Sequence, residues 1–248
     1  MSLSRGFVIA YVVSAALSSQ THAELMITEV VDGTLPGGQP KWVEIKNSGA
    51  SSVDLSAYSF GNFSNGGTSL GGGAAAPLTG SLDPLGIYII SYEATPSPPE
   101  PGEPANISVF EDVYGFAPDF FMGGGFVNGN DTLALFLGAA TGDGSDADIV
   151  DLYGRIGEDG AGTEWEYTDS YAYRLPTVLG PASTFAADEW FIAGPDALED
   201  PNGDDQLERE SLLSVTTPGT HNMIPEPSTV GLALIAALAL AAAARQKK

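Results

Sequence analysis

Apolar residues in the body of this chain occur in short runs that alternate with polar residues, and turn-forming residues separate one run from the next. The run Trp-Val-Glu-Ile-Lys-Asn at residues 42–47 would place Trp, Glu and Lys on one face of a strand and Val and Ile on the other, with one face buried. Residues 53–58 alternate in the same way, so Val53, Leu55 and Ala57 are predicted to point into a core. The 31 glycines and 17 prolines interrupt the chain too often for long helices, and the sequence therefore predicts an all-β fold.

The C-terminus has a different pattern, in which an apolar stretch lies between a proline-rich tripeptide and a basic tail. Pro225-Glu226-Pro227 precedes residues 228–244, which carry no charge, and three of the last four residues are cationic. As a helix, the 15 residues from 230 to 244 would cover roughly 22 Å of the ~30 Å bilayer core. This predicts a short helix over 228–244 that inserts transiently into the inner membrane, with the basic end in the cytoplasm and the preceding chain outside.

The N-terminus has the pattern of a secretory signal peptide. Arg5 precedes the apolar residues 6–17, and small residues suited to cleavage end at Ala23. The sequence is therefore divided into a signal peptide (1–23), one exported domain (24–222) and a C-terminal sorting region with the short apolar helix (223–248).

Charge and side-chain chemistry exclude several function classes. The formal net charge is −23 at pH 7, which repels nucleic acid and anionic membrane surfaces. There is no cysteine, and the two histidines are His22, in the signal peptide, and His221. Disulfides, thiol nucleophiles and histidine-rich zinc sites are thereby excluded, and no catalytic residue is predicted. We expect a protein that is not an enzyme.

Two acidic turns are candidate calcium sites because oxygen ligands at alternate positions on a tight turn can converge on Ca²⁺. The second turn departs from an EF-hand loop, since Asp205 and Ser211 stand where that loop needs glycine and glutamate. Solvated acidic turns are the alternative interpretation. The candidate ligands are Asp143, Asp146 and Asp148 in the first turn, and Asp200, Asn202 and Asp204 in the second.

Two insertions rich in small residues or proline interrupt the strand pattern. Residues 64–77 are rich in glycine and alanine, and residues 94–105 contain five prolines. Neither has the composition to bury much apolar surface, so both are predicted to be mobile surface loops.

The C-terminal features together resemble the PEP-CTERM sorting signal of Gram-negative bacteria, with the Pro-Glu-Pro triad, the short apolar helix and the basic tail in order. The resemblance implies recognition by an exosortase, loss of the helix, and transfer to the envelope or to exopolysaccharide. A second triad, Pro99-Glu100-Pro101, is followed by no apolar run and is interpreted as a loop. A permanent tail anchor is the alternative.

The body resembles the lamin-tail domain, an immunoglobulin-like β-sandwich of nuclear lamins and many bacterial surface proteins. Leu85 stands where that family usually has glycine. The matching stretches, in chain order, are residues 29–30, 42–47, 53–58, 82–90, 128–131, 133–137, 148–154, 163–165, 172–174, 190 and 218–222.

These features predict an exported, non-catalytic protein of the cell surface or extracellular matrix with a structural or adhesive role. A calcium-assisted carbohydrate-binding module of the exopolysaccharide matrix is the first alternative, and a hydrolase of matrix polysaccharide is the second. An exposed coplanar pair of aromatics would favour the carbohydrate-binding module, and a cleft that holds two close carboxylates would favour the hydrolase. The candidate sugar-stacking aromatics are Tyr167, Tyr171, Tyr173 and Trp190.

Overall fold

The computed structural model of the protein describes residues 25–102, 104–123 and 127–222. Within these ranges the chain is mostly β-sheet with little helix, as the sequence predicts. In chain order the strands are β1 (Leu25–Leu35), β2 (Gln39–Asn47), β3 (Val53–Asp54), β4 (Tyr58–Phe63), β5 (Ala76–Pro77), β6 (Ser81–Leu82), β7 (Ile87–Ser91), β8 (Phe120–Phe121), β9 (Thr132–Leu137), β10 (Asp148–Tyr153), β11 (Tyr171–Arg174) and β12 (Trp190–Ile192), and the α-helices are α1 (Val109–Tyr114) and α2 (Asp205–Val215).

Two main sheets organise these strands. The larger sheet has the order β12-β11-β1-β2-β7-β8, in which β8 pairs parallel to β7 and the other neighbours are antiparallel. The smaller sheet has the order β10-β9-β4-β5, and β3 pairs with β6 in a separate two-stranded ladder. Strands β1 and β2 occupy the centre of the larger sheet.

The main hydrophobic core receives side chains from both sheets. Val43 and Ile45 of β2 belong to the same buried cluster as Phe60 of β4 and Leu133 of β9. Trp165 is also fully buried in this cluster. We call the side of the larger sheet that faces away from this cluster its outer face.

A second hydrophobic cluster covers part of the outer face. Trp42 packs with Phe110 of α1 and Leu212 of α2, and its Nε1 donates a hydrogen bond to Tyr114 Oη at 3.3 Å. Glu44, the next outward residue of β2, is also fully buried. The prediction that β2 buries one face is therefore wrong, because the helices and the C-terminal chain cover the second face.

Local geometry corrects two further predictions. Residues Leu55–Ala57 form a 3₁₀ turn, which leaves Ala57 exposed and turns Tyr58 into the core. The insertion at 64–77 packs against the smaller sheet, since Leu70 and Ala75 are buried in a third cluster and β5 pairs with β4.

The second insertion lies on the surface, as its sequence predicts. Its described residues, 94–102 and 104–105, contain no helix or strand, and all of them are exposed except the half-buried Pro96.

Candidate functional site

A row of side chains crosses the outer face of the larger sheet from its β12 edge to its centre. Phe191 of β12 lies opposite Tyr173 of β11, Tyr173 lies opposite Glu29 of β1, and Glu29 lies opposite Glu44 of β2. The row therefore begins with two aromatic rings and ends with two carboxyl groups on the central strands.

The last described residues, 216–222, cross the carboxyl end of this row. We call them the C-terminal segment. Thr217 donates its backbone N–H to Glu29 Oε1 at 3.0 Å, and Gly219 donates its N–H to Glu44 Oε2 at 2.8 Å. Thr28 Oγ1 donates to the other oxygen of Glu44 at 2.6 Å. The two carboxyl groups thus satisfy backbone donors of a segment that has no strand partner of its own.

The two carboxyl groups differ in protonation, although both are buried. Desolvation, reinforced by the charge of Glu44, raises the pKa of Glu29 to about 8, although the hydrogen bonds from Thr217 oppose this rise. Desolvation raises the pKa of Glu44 to about 6, opposed by the hydrogen bonds from Thr28 and Gly219 and by the charge of Lys46. At pH 7, Glu29 therefore retains its proton while Glu44 is mostly ionised.

Lys46 binds the end of the same segment through a hydrogen bond. Its Nζ donates to the carbonyl oxygen of His221 at 2.7 Å and to that of Leu85 at 3.2 Å. Burial, together with the positive charges of Lys46 and Arg174, lowers the pKa of His221 to about 4. His221 is thus neutral at pH 7.

Tyr171, Tyr173 and Phe191 form a group of stacked rings at the β12 edge, which we call the aromatic platform. The centroids of Tyr173 and Phe191 are 4.9 Å apart with an interplanar angle of 20°, and those of Tyr171 and Tyr173 are 6.4 Å apart at 18°. Strand alternation produces the group, since Ala172 and Trp190 point into the core and their neighbours point outward. Phe191 is 40% exposed, and both tyrosines are half-buried.

A pocket of about 350 Å³ lies where the aromatic platform meets the C-terminal segment. Glu29 lines this pocket, whereas Glu44 is fully buried and accepts the Gly219 N–H. Pro176, Val215 and the ring of Tyr173 supply its apolar surface, and its other lining side chains are polar or charged. The lining residues are Glu29, Tyr173, Arg174, Pro176, Val215, Thr217, Thr220, His221 and Asn222.

A larger cleft, of about 620 Å³, lies between α1 and α2. Its polar groups pair with one another: Arg209 Nη1 donates to the carbonyl oxygen of Asp112 at 2.9 Å, and Gln206 donates to Glu210 at 3.1 Å. Arg209, Gln206 and Glu210 are therefore already engaged within this cleft.

The structure separates the four aromatics that the sequence identifies as candidates for sugar stacking. Tyr167 and Trp190 are core residues, with 1% and 5% of their surface exposed, and cannot contact a ligand. Tyr171 and Tyr173 belong to the aromatic platform. Sequence reasoning missed Phe191, although its place beside a buried tryptophan in a strand indicates that it points outward.

The first candidate calcium turn uses its carboxylates for local hydrogen bonds. Asp143 accepts the backbone N–H of Ser145 at 3.0 Å, and Asp146 accepts the backbone N–H of Thr141 at 2.8 Å. Asp148 is the first residue of β10.

The second candidate turn leads into α2 and supplies its N-cap residue. Asp200 accepts the backbone N–H groups of Asn202 and Asp204 at 2.8 and 3.2 Å, and Asp204 caps the helix by accepting from Gln206 and Leu207. Within residues 25–102, 104–123 and 127–222, no three His, Cys, Asp or Glu side chains are grouped so that they could hold a metal ion. Calcium binding therefore stays a prediction.

The predicted targeting features lie outside the described residues. This applies to the cleavage position Ala23, to Pro225, Glu226 and Pro227, and to the apolar residues 228–244. Among the residues that the structure describes, no helix is long and apolar enough to span a bilayer.

Searches against protein-family models, curated proteins and solved structures found no match to this chain.

Proposed function

We propose that this chain is an exported, non-catalytic component of a bacterial cell surface or extracellular matrix, with a structural or adhesive role. Its body would be an immunoglobulin-like sandwich of lamin-tail type, and an exosortase would process its C-terminus. The signal peptide pattern, the PEP-CTERM resemblance and the two-sheet core support this proposal. The hydrogen bonding of Glu29 and Glu44 supports the proposal that the protein is non-catalytic, because both carboxyl groups accept backbone hydrogen bonds from the C-terminal segment.

The attachment of the C-terminal segment is the observation that carries this proposal. The triad of the sorting signal begins three residues after Asn222, so a tether at the triad would pull directly on this segment. Glu29 on β1, together with Glu44 and Lys46 on β2, holds the segment through hydrogen bonds. Since β1 and β2 are the central strands of the larger sheet, a load on the tether would be distributed into the core of the domain.

The test compares the two Pro-Glu-Pro triads of the chain in its native host. We expect the wild-type protein recovered from envelope and medium to have an intact mass that ends near Pro227. Replacing residues 225–227 by three alanines should leave a protein that still contains Lys248. The control replaces residues 99–101 by three alanines, which removes the same residue types from an exposed loop. This control should be processed like the wild type.

Two results would overturn the proposal. A wild-type mass that includes residues 228–248 would indicate a membrane-tethered protein rather than a sorted one. Recovery of the wild type from the cytoplasm with residues 1–23 intact would contradict export itself.

A further inference from the structure

A lysine, an asparagine and an aspartate meet beside the hairpin of β1 and β2. Asp32 of β1 lies opposite Lys41 of β2, and Lys41 Nζ donates a hydrogen bond to Asp32 Oδ1. The same Nζ donates to Oδ1 of Asn128, in the turn that precedes β9, at 3.3 Å. We propose that an amide bond forms between the side chains of Lys41 and Asn128, with Asp32 as the catalytic acid–base group and ammonia as the group released. This modification goes beyond the proposed function and does not depend on it.

The contact between Lys41 and Asn128 supplies the first requirement of the reaction, which is proximity. Reacting atoms held about 3–3.5 Å apart are close to the geometry of attack. Nζ lies 3.3 Å from Oδ1, and Cγ, the carbon to be attacked, is bonded directly to that oxygen. The terminal torsion of asparagine has a broad minimum, so a rotation of the carboxamide turns the face of Cγ toward Nζ.

The backbone around Asn128 is fixed, so its carboxamide starts from a defined position. The Asn128 N–H donates to Asp131 Oδ2 at 3.0 Å, and the Asp131 N–H donates to the Asn128 carbonyl oxygen at 2.9 Å. At Gly129 a Cβ would lie 2.1 Å from backbone atoms of Tyr167 and Thr168, because the turn packs tightly against them. Such preorganisation is what makes intramolecular reactions fast.

Asp32 supplies the second requirement, a group that takes a proton from the amine. Only the neutral amine is a nucleophile, and Asp32 Oδ1 already accepts a hydrogen bond from Nζ. The side chains of Asp32 and Lys41 are only 2% and 12% exposed, so water has little access to the pair. Asp32 Oδ2 accepts the Gly129 N–H at 2.8 Å. That hydrogen bond restrains the competing nucleophile, since attack of the Gly129 nitrogen on Asn128 would close a succinimide.

The atoms balance in one acyl transfer. Asp32 accepts a proton from the Lys41 ammonium, and the lone pair of Nζ then forms a bond to Cγ of Asn128. Asp32 returns this proton to Nδ2 as the Cγ–Nδ2 bond breaks, and a second proton from Nζ reaches the departing ammonia through the same carboxylate. The products are an amide and an ammonium ion, and Asp32 is again ionised. Asn128 is exposed, so the ammonium ion leaves directly to solvent.

The bond joins the two main sheets. Lys41 belongs to β2 of the larger sheet, whereas Asn128 lies 87 positions later, in the turn that enters β9 of the smaller sheet. The sequence contains no cysteine, so a side-chain amide is a covalent staple that its composition still permits. A link between positions far apart in sequence removes conformations from the unfolded chain and thereby stabilises the folded one.

The experiment is peptide mapping of the purified full-length protein, denatured and digested after it has folded. A glutamate-specific protease releases residues 30–44, which contain Lys41, and residues 112–158, which contain Asn128. We expect one branched peptide that contains both ranges, with a mass lower than their sum by one ammonia, about 17 Da. Tandem mass spectrometry should place the link between Lys41 and Asn128.

Three variants test the three groups, and a fourth is the matched control. Lys41→Arg keeps the positive charge beside Asp32 but offers no amine, and Asn128→Ala removes the carboxamide, so both should give only linear peptides. Asp32→Asn should slow formation of the branched peptide, followed at successive times after synthesis, by about 100-fold or more. The control Asn130→Ala removes a carboxamide of the same turn that donates to Asp159 instead, and it should be linked like the wild type.

The wild-type digest decides the inference by itself, and near-UV circular dichroism establishes that each unlinked variant is folded. Linear wild-type peptides of full mass would contradict the inference. A loss of ammonia confined to residues 112–158 would also contradict it, because it would indicate a succinimide. Linkage of Asp32→Asn at the wild-type rate would reject Asp32 as the catalytic group. Neither peptide contains residues 1–23 or 223–248, so failed export or C-terminal processing would reject the proposed function alone.

Discussion

Asp151 connects the two sheets through a single buried carboxylate. It accepts two hydrogen bonds from Arg174 Nη1, at 2.8 and 3.0 Å, and both side chains have no exposed surface. Its oxygens also accept the backbone N–H groups of Ile27 and Ala182 at 2.6 and 2.8 Å. Burial raises the pKa of Asp151 to about 6, although the positive charge of Arg174 opposes this rise. At neutral pH the pair is ionised and fully desolvated.

Removing the charge of Asp151 should destabilise the protein strongly. Asp151→Asn leaves the buried guanidinium of Arg174 with only the half-buried carboxylate of Glu189, at 3.5 Å, as a counter-charge, and breaking a buried ion pair typically costs about 3–5 kcal/mol of unfolding free energy. Urea unfolding at pH 7 measures this loss. Glu164→Gln is the control, because it removes a carboxylate that pairs with Arg155 on the exposed surface. Its midpoint should not differ measurably from the wild type, and a small effect of Asp151→Asn would contradict the role assigned to the buried pair.

Sequence reasoning reached only part of this residue-scale chemistry. Pairing of Arg174 with a carboxylate was predictable, because the sequence has 9 cationic residues against 32 acids. The identity of the partner was not predictable, since Asp151 is 23 positions away and meets Arg174 only after the two sheets pack. Glu44 was assigned to the correct strand face, but nothing local indicated that residues 216–222 would cover it.

The C-terminal segment should become less firmly attached to β1 as the pH rises from 6.5 to 8. In this range the folded protein keeps a proton on Glu29, whose pKa is about 8, while the unfolded chain, with a pKa near 4.5, has lost it. Raising the pH therefore favours unfolding, by about 1.4 kcal/mol per pH unit at most. Glu29→Gln removes this proton exchange, so its unfolding free energy should vary less with pH across the same range.

The range from pH 6.5 to 8 isolates Glu29 from the other shifted groups that surround it. The raised pKa values of Glu44 and Asp151, about 6, make the folded protein less stable as the pH rises from about 4 to about 6. The lowered pKa of His221, about 4, makes the folded protein more stable as the pH rises from about 4 to about 6.5. Urea unfolding at three pH values measures the slope, with Glu164→Gln as an exposed control that should follow the wild type. A wild-type stability that does not fall across this range, or an equal fall in Glu29→Gln, would show that Glu29 does not bind the proton.

At the element scale, the sequence predicts strands better than helices. The alternation in residues 42–47 correctly indicates β2, because a strand needs only local alternation. Helix α2 was missed because Leu207 and Leu213 are exposed and Leu212 is buried, so its leucines form no continuous apolar face. The cap at Asp204 was the usable signal, but its acidic neighbours also suggested a calcium turn.

At the scale of the whole molecule, the acidic charge opposes the folded state. A net charge of −23 on one compact chain produces self-repulsion, and salt screens it. The sequence alone predicts the net charge behind this self-repulsion, since net charge depends only on composition. It cannot assign the repulsion to particular side chains, because many acids, such as Asp143 and Asp200, are held by backbone N–H groups in the folded protein.

We expect the melting temperature to rise with NaCl, since the Debye length falls from about 30 Å at 0.01 M to about 3 Å at 1 M. Choline chloride should give the same rise if screening alone acts. The calcium hypothesis predicts an additional rise with millimolar CaCl₂ at matched ionic strength, which a chelator reverses and which Asp146→Asn or Asp200→Asn reduces. MgCl₂ is the control for divalent charge. Equal effects of Ca²⁺ and Mg²⁺ would reject a calcium site, and a melting temperature that does not change with NaCl would reject self-repulsion as a major cost of folding.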